Sequence, residues 1–201
     1  ANKYIINGSV RRDGSSRFWD GSDKVNLWGW FPGVSAAWRI DQENFLKGTG
    51  INTLKIRVGW GQTGQQEISS GDYPAFASYN QSSQGAFYQF GQNYYFMFRP
   101  GVYNPYLKWE TTTTKNIGLD FGFLNKRING SVDLFQKDTK DLIVDAPIAA
   151  GDLSNHNIIN AGNMENKGIE ATINLIPVKN ENTTWELNFN ATHYNPIITK
   201  I

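Results

Sequence analysis

The sequence predicts an all-β fold: an antiparallel, up-and-down transmembrane β-barrel, present here as a partial set of about seven strands of a larger barrel. Three observations predict it. First, apolar and polar residues alternate one for one. Ile117, Leu119, Phe121 and Phe123 alternate with Asn116, Gly118, Asp120 and Gly122. Leu54, Ile56, Val58 and Trp60 do so with Lys55, Arg57, Gly59 and Gly61, and Trp185, Leu187 and Phe189 with Glu186, Asn188 and Asn190. A period of two sends successive side chains to opposite faces of a strand. Second, several such stretches reach the ~9–11 residues of a tilted membrane strand, whereas soluble strands average ~5–6. Third, the connections alternate long and short, as when a barrel carries long loops on one side and short turns on the other.

The elements follow in order. A strand is read at 3–12, and the polar stretch 13–27 is a long loop. The next strand, 28–40, begins with Trp28 and Trp30 and holds Trp38 near its end; Pro32 inside it predicts a bulge or a local irregularity. The moderate connection 41–52 contains one helical turn at 41–46 with Asp41 as its cap. Strand 53–61 ends on Trp60. The very long segment 62–110 counts against a compact soluble domain, but suits a loop outside a barrel. Asn104-Pro105 turns the chain toward strand 111–123, with Trp109 just ahead of it. A tight turn at 124–127 leads to strand 128–141. After the long loop 144–165 come strands 166–177 and 184–194, joined by a short turn. Tryptophans at strand ends suit an interfacial girdle, where an apolar ring meets hydrocarbon and its N–H meets water.

Composition narrows the function classes. The chain has 201 residues, 39% hydrophobic, 14% aromatic and 18% charged, with a net charge of +1. That balance gives no electrostatic case for a nucleic-acid partner. Without cysteine there are no disulfides and no thiolate metal sites. His156 and His193 have neither metal-ligand spacing nor an obvious nucleophile partner. The glycine-rich 59–64 lacks the Lys-Ser/Thr of a phosphate loop. No catalytic residue, metal ligand or cofactor is assigned, and an enzyme is not expected.

Three further expectations concern side chains. Gly118, Gly122 and Gly168 fall on the polar face, where barrel curvature or close approach from the lumen requires a missing side chain. Glu110 and Glu170 read as solvated rim charges or as partners of Lys55, Arg57 or Lys108 across a wet lumen. The loop 62–110 holds Tyr73, Phe76, Tyr79, Phe87, Tyr88, Phe90, Tyr94, Tyr95 and Phe96 among Gln, Ser, Asn and Gly. Tyrosine among small polar residues gives contact area at low entropy cost. These rings read either as packing the loop against itself or its neighbours, or as contacts for a ligand or a lid protein, for which Tyr73, Phe76, Tyr79, Tyr94 and Tyr95 are the candidates.

Several strings, taken in order, resemble the SusC/RagA group of TonB-dependent outer-membrane transporters. They are RRDGSSRF at 11–18, WFPGVSAAWRI at 30–40, LKIR at 54–57 with GWGQTG at 59–64, and NPYLKWETT at 104–112. NIGLDFGF at 116–123, KDTKDL at 137–142 and GNMENKGIE at 162–170 complete the set. The resemblance covers nearly the whole chain except 71–100 and falls on that family's later barrel strands. It implies energised import of oligosaccharides or peptides across the outer membrane of a Gram-negative, Bacteroidota-type bacterium. It also implies TonB as a partner and a SusD-like surface lipoprotein as lid. Residues 1–201 are then part of the barrel domain, with external loops near 13–27, 62–110 and 144–165. No plug domain is legible, and seven strands fall short of the ~22 of a plugged transporter. Open edges in lipid cost several kcal/mol per unpaired group, so the chain is expected to be a portion of a longer protein. Two other readings stay open: a soluble carbohydrate-binding β-protein with the apolar face as its core, and a structural or passive barrel component.

Overall fold

The computed structural model describes residues 2–22, 26–68, 72–82, 85–149 and 156–201. Seven long strands form one sheet: β1 (Tyr4–Gly14), β2 (Trp28–Arg39), β3 (Ile51–Gln65), β4 (Glu110–Phe123), β5 (Ile128–Lys140), β6 (Asn163–Lys179) and β7 (Thr184–Lys200). Each pairs antiparallel with its neighbours in sequence, so the sheet is a plain meander with β1 and β7 at its edges. All seven strands read from the alternation are present. β2 and β5 end one residue short of the expected bounds, while others run further than the pattern reached: β3 to Gln65, β6 from Asn163 and β7 to Lys200. Polar Gln, Thr and Gly carry no period of two, yet the ladder continues through them because the neighbouring strand satisfies their backbone groups.

Local departures have physical reasons. Pro32 makes no bulge, since β2 pairs with β1 in unbroken register through Val10 and Pro32. The β2–β3 ladder ends one residue away, at Gly33, so a residue without an N–H stands where that ladder is already over. The stretch expected to be one capped helical turn is two 3₁₀ turns, Ile40–Gln42 and Asn44–Leu46. Asp41 lies inside the first turn rather than capping it; its carboxylate accepts from Arg39 and Gln42. Glu43, between the turns, accepts from Lys3 Nζ at 2.9 Å, Tyr4 Oη at 3.2 Å and Trp38 Nε1 at 3.2 Å. These bonds, Lys3 first, hold its carboxyl below the usual glutamate range.

The long connections carry structure that the sequence pattern did not reveal. Tyr79–Gln81 pairs with Phe98–Pro100, and Tyr88–Phe90 with Asn93–Tyr95 across a turn at Gly91. Ile143–Pro147 pairs with His156–Asn160. The buried apolar cluster sits among these loop segments: Phe18, Phe31, Ile68, Ala75, Leu107, Trp109 and Ile158. Trp109 is therefore no girdle residue. Its ring lies 5.0 Å from Phe18 and 5.4 Å from Phe31, and only 9% of it is exposed. Among the described residues, Phe31 alone brings a long strand into that cluster. Within the described residues the bulky side chains of the sheet are not turned onto one another in a sealed core, unlike the sandwich that the sequence left open.

Candidate functional site: a two-faced wall and its loop ribbon

The register assigns every residue of the wall to a face. One row runs Ile6, Ala36, Val58, Ile117, Leu134 and Ile169 across β1 to β6. The next runs Tyr4, Trp38, Ile56, Leu119, Val132, Ala171 and Ala191. A third row passes from Leu54 through Phe121 to Ile173 and Phe189. These apolar side chains lie on one face, and Ile6, Ile117, Leu134 and Phe189 are half exposed or more. A contiguous patch of this size marks contact with a partner or with membrane.

The edges of the patch tell which. On β2, Trp28 and Trp38 lie on this face ten residues apart, ~33 Å along a strand. At a tilt near ~40° that is ~25 Å of height, the apolar band of an outer-membrane barrel. The turn-side edge is marked by Trp38 in the row of Leu119 on β2, and by Trp185 on β7. Trp185 lies two residues beyond Leu187, which shares the row of Phe123, Ile128 and Leu175. The edge thus slides by four residues on β4 and two more on β7, ~20 Å, over five strand spacings, ~24 Å. The loop-side edge slides the same way, from Trp28 and Trp30 to Trp60 and then to Ile117, Leu134 and Ile169. A flat slab cutting strands tilted by ~40° produces that drift, and ~35–45° is the tilt of membrane barrels.

The opposite face is polar and crowded. Arg57, Gly118, Asp133 and Glu170 share a row, with Lys55, Asp120 and Ser131 in the next. The Arg57 guanidinium donates to Asp120 through Nε and Nη2 at 3.0 and 2.8 Å, and reaches past β4 to Asp133 at 3.0 Å. Lys55 Nζ adds a 2.7 Å contact to Asp120. A Cβ at Gly118 would overlap both Asp133 and the guanidinium, so the glycine opens the path across the strand. Gly168 likewise leaves room for the Phe135 ring. What comes close at both positions is the wall's own side chains; the expectation named an approach from the lumen or the curvature of the barrel instead. Nearer the loops, Asn7, Ser9, Ser35, Gly33, Gly61 and Thr114 help line a hollow of about 310 Å³.

Two expected ion pairs are different. Among the described residues Glu110 pairs with no lysine or arginine; its Oε2 accepts the Ile143 N–H at 3.1 Å and anchors the ribbon that precedes β6. Glu170 makes none of the expected pairs, because Asp120 and Asp133 hold Lys55 and Arg57, and Asp141 holds Lys108. Asn160 completes the anchor, bridging Lys108 N–H, Lys108 C=O and Asp141 C=O at 2.9 Å each.

The five aromatic candidates do not share one face. Phe76 stacks on Trp19 at 5.8 Å. Tyr73 precedes it in the turn closed by the Phe76 N–H. Tyr79 stands at the base of the ribbon. Tyr94 and Tyr95 are consecutive in its outer strand and so point to opposite sides. Phe87 and Phe96 pack edge to face at 4.7 Å and hold the ribbon together. Among the described residues no group of three His, Cys, Asp or Glu side chains is arranged to hold a metal.

Comparison with known proteins gives the same picture. A family model described as TonB dependent receptor-like, beta-barrel, matches residues 1–196. The TonB-dependent receptor SusC of Bacteroides thetaiotaomicron is 43% identical over 202 residues, covering 100% of this chain and 20% of the relative. A TonB-dependent receptor of Formosa agariphila is 40% identical over 189 residues, covering 94% of this chain and 17% of its own length. The structure of the RagAB peptide importer in its closed-closed state superposes with a TM-score of 0.85 at 26% identity, over 98% of this chain and 21% of that one. The chain thus spans a small part of each relative's length.

Proposed function

This chain belongs to the TonB-dependent receptor-like β-barrel family, and from that premise we propose that it forms part of the wall of an outer-membrane nutrient importer. The observation that carries the reading is the slanted apolar band. Its side chains face hydrocarbon, while Arg57, Asp120, Asp133 and the glycines of the other face line a wet or plugged lumen. The loops 13–27, 62–110 and 144–165 lie on the outer side, and the short turns lie in the periplasm. Import is energised by TonB and works with a SusD-like lipoprotein as lid. The cargo is an oligosaccharide or a peptide. Tyr73, Phe76, Tyr79, Tyr94 and Tyr95 contact that cargo or the lid, with the ribbon presenting Tyr94 to one and Tyr95 to the other. The protein carries its cargo unchanged.

This chain has no cysteine of its own to label, and cysteines elsewhere in the full-length protein are first replaced by serine. In the full-length protein in liposomes, Ile117→Cys and Leu119→Cys are expected to react with a lipophilic maleimide and resist a water-borne one. Asn116→Cys is expected to do the reverse. Equal water labelling at all three positions would overturn the reading.

A further inference from the structure

Two hollows join on the polar face along β2 and β3. The lower, about 310 Å³, has Asn7, Ser9, Ser35, Thr114 and Asn116 around it. The upper, about 380 Å³, shares Ser9 and Thr114 and ends at Thr63 and Phe31, where the buried loop cluster rests on the wall. Gly33 and Gly61, paired across β2 and β3, form the floor of both. The result is a trough that leads down the wall from beneath the loops. Its floor glycines differ from Gly118 and Gly168. A Cβ at Gly61 would meet nothing closer than 3.6 Å, and one at Gly33 would meet first the Ser9 hydroxyl, at 3.2 Å. The wall leaves that space unfilled by its own side chains. Among the described residues, the side chains of Asn7, Ser9, Ser35, Thr114 and Asn116 make no hydrogen bond. Free charge is missing as well. Of the described residues lining the trough only Arg11 is ionic, and Asp13 holds its guanidinium at 2.7 Å. One row below, Lys55, Arg57, Asp120 and Asp133 are closed on one another. In the loop above, no carboxylate stands between Asp72 and Glu110.

We infer that this trough is a binding site on the lumen wall for an uncharged, polyhydroxylated chain, an oligosaccharide. The inference rests on the reading of the polar face as lumen, and it selects one of the two cargoes proposed above. Each hollow falls within the ~300–1,000 Å³ of small-molecule sites. The backbone groups of the floor are used in the ladder, so recognition falls to the side chains. Hydroxyl and amide side chains both donate and accept, as sugar hydroxyls do. A sugar ring lies close against backbone where Cβ atoms are missing. A peptide brings charged termini and side chains, and the trough has no unpaired charge to meet them.

Ser35→Cys in the full-length protein in liposomes, with other cysteines replaced by serine, reports on the trough. The probes are linear hexasaccharides of glucose, mannose, galactose and xylose, and a hexapeptide with free termini. A water-borne maleimide should label Ser35→Cys, and at least one saturating hexasaccharide should slow that labelling about tenfold while the peptide does not. Gly33→Val with Gly61→Val should abolish the protection and leave the cysteine reactive. Asn116→Leu with Thr114→Val, which spares the floor, should weaken the protecting sugar about tenfold. Heat-modifiable gel migration shows that each variant has folded. Protection by none of the four sugars, equal protection by the peptide, or variants that protect like the parent would overturn the inference. So would a cysteine that never reacts, because another part of the protein would then fill the trough. Ile117→Cys in the same liposomes keeps the two readings apart. If it takes only the lipophilic reagent, the barrel stands when the trough fails; if it takes the water-borne one equally, both fall.

Discussion

At the scale of single residues, the inner wall depends on what is missing. Arg57 spans from β3 to Asp133 on β5 only because Gly118 puts no side chain between them. Gly118→Val would push the guanidinium off Asp133 and crowd the strand, at a cost of about 1–3 kcal/mol. Urea unfolding of the barrel in detergent should show that loss. In an Arg57→Gln background the same change should cost less, because the side chain it displaces is gone; equal cost in both backgrounds would separate the glycine from the ion network. The glycine's place was legible in the sequence, since the period of two put Gly118 on the polar face. Its partners were not: eighteen acidic residues offer many pairings, and only the register selects Asp120 and Asp133 over Glu110 and Glu170. The Glu43 clasp was hidden for the same reason, being a lone turn carboxylate until β1 brings Lys3 and Tyr4 beside it.

At the scale of elements, the seven strands were legible because each has one face in an apolar environment, and that demand writes a period of two. The ribbons within the long connections were not, because three-residue ladders with both faces exposed impose no such demand on Tyr79–Gln81 or Asn93–Tyr95. The β4–β5 turn was read as tight, but its strain was not visible. Leu124, Asn125 and Lys126 all have positive φ, at 52°, 56° and 62°, with no glycine among them. Each non-glycine residue in that region costs about 1–2 kcal/mol. The turn is held from outside, by the Leu124 N–H on Gly50 C=O and the Lys126 N–H on Asn52 Oδ1. Leu124 is exposed, so Leu124→Gly loses little packing. After the added freedom of the unfolded chain, it should stabilise the barrel by up to about 1 kcal/mol. Leu124→Val should destabilise it, since a β-branched residue fits positive φ worst. A shift of the urea midpoint in opposite directions checks the pair; a shift in the same direction would show that the turn is not under backbone strain.

At the scale of the whole molecule, the slant of the apolar band links sequence to orientation. A row of hydrogen-bonded neighbours is perpendicular to the strands, whereas a membrane surface is perpendicular to the barrel axis. The two coincide only for upright strands. Closing a sheet into a barrel forces a tilt, so the hydrophobic boundary must cross the rows obliquely. Here it does, sliding from Trp38 on β2 to Trp185 on β7 while the loop-side boundary slides in parallel from Trp30 toward Ile169. A docking patch for a protein partner has no reason to keep two oblique edges sliding the same way from β2 across to β6 and β7. The two edge strands, β1 and β7, would each leave unpaired backbone groups in lipid at several kcal/mol apiece, so in a membrane both must find neighbours. That requirement fixes how the tilt is to be measured, in the full-length protein with every strand paired. Polarised infrared spectroscopy of the protein in oriented bilayers should give a mean strand tilt of ~35–45° from the membrane normal. A mean tilt below ~20° would break the link, because upright strands would carry a boundary that follows the rows.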